Sequence, residues 1–114
     1  MRRKLAVILA ADVASYSRLV ADDEDDTLRR LNASLDLFKD LIAHHGGRVF
    51  NTAGDAVLAE FSSALEALRC AIEVQESLKT RNLAYAPSRR LEFRVAVHIG
   101  DVFEENGNLL GDGV

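Results

Sequence analysis

Residues 48–61 read RVFNTAGDAVLAEF. Two short apolar runs, 48–51 and 56–61, flank Thr52-Ala53-Gly54-Asp55. A Gly-Asp pair between β-prone segments is hairpin chemistry, because glycine accepts the positive φ of a tight turn and aspartate tolerates the position beside it. The stretch therefore predicts two antiparallel strands with Asp55 at their tip.

Helical patterns lie on both sides of this hairpin. Upstream, Leu28, Leu31, Leu35, Phe38, Leu41 and Ile42 recur every three or four residues, which predicts an amphipathic helix ended by Gly46-Gly47. The acidic run Asp22-Asp23-Glu24-Asp25-Asp26 before it reads as a solvated helix start, since carboxylates favour the positive end of the helix dipole. Residues 5–11 form a continuous apolar run carrying Val and Ile, the pattern of a strand covered on both faces, and it ends at Asp12. Ala14-Ser15-Tyr16-Ser17 then makes a tight connection.

Downstream, Ser62-Ser63 can cap a second helix whose stripe is Leu65, Leu68, Ile72, Val74, Gln75 and Leu78. Residues 82–90, with Pro87, read as a loop containing a solvated basic pair, Arg89-Arg90. Residues 91–99 predict a strand closed by Gly100-Asp101, and residues 102–110 the next hairpin arm, turning at Asn106-Gly107. The order strand, helix, strand, strand, helix, strand, partial strand predicts an α+β sandwich with helices on one face of a mostly antiparallel sheet.

With 114 residues the chain holds one domain at most. Its 48% hydrophobic and 28% charged residues are ordinary for a folded chain. A net charge of -4 creates no field that would draw in nucleic acid or an anionic membrane. The single cysteine, Cys70, excludes an internal disulfide and cysteine-based zinc sites, and suits a reducing, cytoplasmic setting. The start MRRKLAVILAADV places basic residues before an apolar run, but the run is short and meets Asp12, so a buried strand is expected rather than a signal peptide. No stretch is long enough for membrane insertion.

Asp12 ends the first strand and Asp55 tips the hairpin after the first helix, so a crossover of the usual hand brings both to one sheet edge. Paired carboxylates there suit Mg²⁺ or Mn²⁺, hard cations that take oxygen ligands and leave positions open for substrate phosphates. An aspartate after a strand and another in a Gly-Asp turn are also common with no such role, and spacing alone leaves both readings open.

Three segments carry a resemblance. LAVILAADVASYSRL, HHGGRVFNTAGDAVLAEFSSALEALRCAIEVQ and RRLEFRVAVHIGDV resemble successive parts of the class III nucleotidyl cyclase catalytic domain, in particular bacterial adenylate cyclases, across residues 4–114. The resemblance implies a ferredoxin-like, palm-type sandwich, C-terminally incomplete. It implies conversion of ATP to cyclic AMP and pyrophosphate through attack of the ribose 3′-oxygen on the α-phosphate. Two Mg²⁺ or Mn²⁺ ions per site are then held by Asp12, Asp55 and the carbonyl of Val13. Ala14, Ser15, Tyr16 and Ser17 correspond to the triphosphate loop, with Ser15 where many members have glycine. A homodimer with sites at the subunit interface and a regulatory domain in a longer chain are implied as well.

The chain departs from the family pattern at two base-reading positions. Asn51 stands where a lysine, and Asn108 where an acidic residue, read the adenine edge in many adenylate cyclases. An amide both donates and accepts, so it can still read a purine; ATP is the expected substrate, and the choice between ATP and GTP stays open. Past Val114 the family continues with an asparagine and an arginine that stabilise the transition state, so residues 1–114 alone are expected to turn over weakly or not at all. A non-catalytic nucleotide-binding or dimerisation module is the alternative, and the absence of a GGDEF-like hairpin speaks against a diguanylate cyclase. Of the remaining residues, His44 and His45 are expected to serve the helix end, His98, Tyr16 and Phe50 to pack, and Cys70 to be a buried, inert thiol.

Overall fold

The computed structural model describes residues 2–110. Strand β1 (Arg2–Val13) leads into helices α1 (Tyr16–Asp22) and α2 (Glu24–His44). The hairpin β2 (Arg48–Ala53) and β3 (Ala56–Phe61) follows, then α3 (Ala64–Asn82), a 3-10 turn at Pro87–Arg89, β4 (Phe93–Glu105) and β5 (Asn108–Leu110). All five strands join one sheet in the order β2-β3-β1-β4-β5, and every neighbouring pair is antiparallel. This is the palm-type α+β architecture expected from the sequence.

Alternation along the strands divides the molecule into two unequal cores. Leu9, Ala11 and Val13 of β1 join Val57, Ala59 and Phe61 of β3 beneath Leu31, Phe38 and Ile42 of α2 and Ala67, Cys70, Val74 and Leu78 of α3. The intervening β1 residues Ala6 and Ile8 face the other way, into a small cluster with Val102, Leu109 and Phe50. That second cluster forms because the sheet curls: the Arg48 guanidinium, at the β2 edge, donates to the Gly107 carbonyl in the β4–β5 turn at 2.8 Å. A bulge in β2 between Val49 and Asn51 turns Phe50 into it.

Several elements differ from the sequence expectation, each for a physical reason. The basic prefix is strand rather than lead-in: Arg2 and Lys4 pair with Glu104, and Arg3 with Asp101, across an unbroken β1–β4 ladder. Gly100-Asp101 consequently lies inside β4 instead of closing it. The connection after β1 contains a seven-residue helix, α1, which the stripe pattern was too short to reveal. On α3 the buried side is Ala67, Cys70, Val74 and Leu78, while Leu65, Leu68 and Ile72 are exposed. Small residues approach the sheet closely, so the bulky aliphatics fall on the outer side.

Arg89 is not solvated. It donates to the Leu19 carbonyl, the Thr27 hydroxyl and the Asp26 carboxylate, fixing the 88–90 turn to the start of α2. Arg89, with Arg29 and Arg30, depresses the Asp26 carboxyl to about 2. The rest of the acidic run behaves as expected: the Asp23 side chain caps α2 by accepting from the Asp26 N–H at 3.1 Å. At the other end His45 bridges α2 to α3, with its ring nitrogens 2.9 Å from Glu66 and 3.3 Å from Glu73. Among the described residues no helix is long and apolar enough to cross a membrane.

Candidate active site

Register brings the two aspartates together. β1 and β3 pair from Val7↔Phe61 to Ala11↔Val57, and continuing that ladder back beyond the start of β3 sets Asp55 opposite Val13. The contact is direct: the Val13 N–H donates to Asp55 Oδ2 at 2.8 Å. Gly54 makes the approach possible, since φ of 58° lets the two-residue turn close under the Ala53↔Ala56 pair. The crossover thus works through β3, with β2 one strand further out, but the outcome is the expected meeting at one sheet edge.

Asp12, next to Val13, points to the opposite face of the strand from the main core. There Arg94 of β4, directly across the ladder, embraces it: Nε and Nη2 donate to the two carboxylate oxygens at 2.8 and 3.0 Å. The Asp12 carboxylate, aided by the nearby negative charge of Asp55, raises the guanidinium pKa above its ordinary value. Arg94 escapes a motif-by-motif reading because its role depends on strand register. Its one signal is that it is the lone charge inside the apolar run FRVAV.

Asp12 and Arg94 border a shallow hollow of about 380 Å³ on the helix-free face, floored by Ala10, Ala56, Leu58 and Ala96. A slightly larger one, about 430 Å³, lies between the end of α3 and Phe93 and is lined by neither aspartate, so size does not locate the chemistry. Among the described residues no three His, Cys, Asp or Glu side chains converge. Two carboxylates fit Mg²⁺ or Mn²⁺, which keep several positions for water and phosphate oxygens, better than a metal that demands a full protein cage. Asp55 commits one oxygen to Val13 and keeps the other, while Asp12 is 43% exposed at its side chain.

The loop and base-reading candidates are placed as follows. Ala14 is tied back by its N–H to the Glu92 carbonyl at 2.8 Å. Ser15, at φ 58° and ψ 36°, adopts the left-handed conformation that explains glycine at this position, and provides no side-chain cap to α1. Tyr16 packs against the main core, and Ser17 is exposed. Asn51 follows the β2 bulge opposite Leu58, which points it to the helix-free face, and it is exposed. Asn108 is exposed at the start of β5, its Oδ1 accepting from the Leu109 N–H at 3.0 Å. Gly111-Asp112-Gly113-Val114 lies outside the described residues.

No family model matches the chain. A protein of Rhizobium meliloti (strain 1021) named "Putative adenylate cyclase 3" is 43% identical over the whole chain. An adenylate/guanylate cyclase/hydrolase structure from Silicibacter pomeroyi superposes with a TM-score of 0.89 at 40% identity over 98% of the chain. The chain belongs to the class III nucleotidyl cyclase family. The chain spans 20% of the Rhizobium protein and 66% of the Silicibacter one. The adenylyl cyclase CyaB from P. aeruginosa shares the fold, with a TM-score of 0.81 at 17% identity over 98% of this chain and 68% of its own.

Proposed function

We propose that the protein carrying this chain converts ATP to cyclic AMP and pyrophosphate by attack of the ribose 3′-oxygen on the α-phosphate. The observation that supports the reading is that Asp55 accepts from the Val13 N–H, next to Asp12, so that both aspartates stand at one end of the sheet. In this reading Asp12, Asp55 and the carbonyl of Val13 hold two Mg²⁺ or Mn²⁺ ions. When bound, the ions activate the attacking oxygen and neutralise charge on the leaving phosphate.

The protein's own groups supply the rest. In this reading the Ala14–Ser17 turn takes the triphosphate, with the first N–H groups of α1, which have no intrahelical partners, as donors. Arg94 adds a cation on the same edge. Asn51 and Asn108 read the base, and because an amide can both donate and accept, either the adenine or the guanine edge satisfies them. GTP is therefore a second substrate in this account. The working form is a homodimer with sites at its interface, in the cytoplasm, where the lone thiol stays reduced.

A second reading, a nucleotide-binding or dimerisation module without turnover, is favoured by the same two asparagines. Both are tested by incubating the protein with Mn²⁺ and either ATP or GTP and identifying the product. Cyclic AMP, accompanied by cyclic GMP within roughly tenfold in rate as expected when neither base-reading side chain is charged, supports the cyclase with relaxed base choice. Mn²⁺-dependent nucleotide binding with no cyclic product supports the module instead.

A further inference from the structure

Arg94 occupies the carboxylate that a divalent ion needs. Its fork engages both oxygens of Asp12, at 2.8 and 3.0 Å. Strand order fixes the arrangement, because β1 lies between β3 and β4, so Asp55 reaches the Asp12–Val13 segment from one side and Arg94 from the other. Counting charges, Asp12 and Asp55 would offer an approaching dication two negative charges. With Arg94 in place they offer a net of one, and the guanidinium repels the newcomer at close range. The pair is nevertheless displaceable: its side chains are 69% and 43% exposed, and ion pairs at such exposure are weak.

We propose that Arg94 is an internal counter-cation that competes with the divalent ion for Asp12, so that metal loading requires the guanidinium to leave. The inference rests on reading Asp12 as a metal ligand. It carries a consequence for order of binding. A planar fork released from a carboxylate is suited to phosphate oxygens. A phosphate-bearing ligand that takes Arg94 thus removes the competitor, and by linkage metal and ligand strengthen each other's binding.

The test is Mn²⁺ binding without nucleotide, read from the electron paramagnetic resonance signal of the free ion, on the protein that carries this chain. Arg94→Gln is expected to bind Mn²⁺ roughly three- to tenfold tighter than wild type, Arg94→Lys to stay near wild type because the charge remains, and Asp12→Asn to lose binding. An arginine that merely supports the fold would instead weaken binding in the glutamine variant. Circular dichroism checks folding, and Arg94→Met is the second neutral variant should Arg94→Gln not fold. Binding no tighter in the neutral variants, with Asp12→Asn still defective, overturns the competitor role alone. Undiminished binding by Asp12→Asn overturns Asp12 as a ligand.

Discussion

Asp55 combines a structural and a chemical task, and two substitutions separate them. In metal-free buffer, Asp55→Ala removes the acceptor of the Val13 N–H, a 2.8 Å bond at a residue only 2% exposed. A buried amide left without a partner costs about 1–3 kcal/mol. For a domain of this size each kcal/mol moves the melting temperature by about 4 °C, so a fall of roughly 4–12 °C is expected. The turn itself persists, because the Ala53↔Ala56 pair and the Gly54 conformation do not depend on the carboxylate. Asp55→Asn retains an oxygen acceptor and should cost less than about 1 kcal/mol. Thermal and urea denaturation followed by circular dichroism, with EDTA present, measure both. An alanine variant melting within about 1 °C of wild type would show that the Val13 bond contributes nothing. An asparagine variant as unstable as alanine would show that the charge, and not the hydrogen bond, fixes the hairpin to β1.

Ser15→Gly should stabilise the chain by about 0.5–1 kcal/mol, since glycine relieves the left-handed strain at φ 58° while losing more entropy on folding; a melting temperature unchanged or lowered would contradict this. His45 lies between Glu66 and Glu73, with Arg69 and His44 nearby, and the Glu66 hydrogen bond foremost raises its pKa above the ordinary 6.5. Its contribution is fully present below 6.5 and is lost as pH rises through the higher folded value, so the stability gap between wild type and His45→Gln should shrink as the pH is raised above 6.5 in denaturant titrations. Cys70 is fully buried and burial pushes its thiol up to about 11, so a thiol reagent at neutral pH should label it only after unfolding; rapid labelling of the native chain would refute its place between α3 and the sheet.

Local chemistry made the elements legible. The Gly54-Asp55 turn, the Leu31-Leu35-Phe38-Ile42 spacing and the Ser63 cap, which accepts from the Glu66 N–H at 3.2 Å, all report on neighbours a few residues away. What sequence hid depends on long-range register. The β2 bulge that turns Phe50 into the second cluster, the Asp12–Arg94 embrace and the Arg89–Asp26 clamp join residues 63 or more positions apart or shift a strand by one residue. α3 misled for a different reason. Its largest aliphatics suggest a buried stripe, yet packing against the sheet selected Ala67 and Cys70, and hydrophobicity alone does not report size complementarity. Asp12 and Asp55 were legible as a pair because a strand end and a hairpin tip are both marked locally, whereas their shared neighbour Arg94 is not.

We propose that Asp12 and Asp55 form one catalytic centre. The most direct measurement is Mn²⁺-dependent cyclic nucleotide formation by the protein carrying this chain, compared with Asp12→Asn and Asp55→Asn after folding is verified. Product is expected from wild type, with losses of roughly 10²–10³ or more in each variant, the scale on which removing a charge-stabilising group acts. Either variant retaining activity near wild type, while folded, would contradict it.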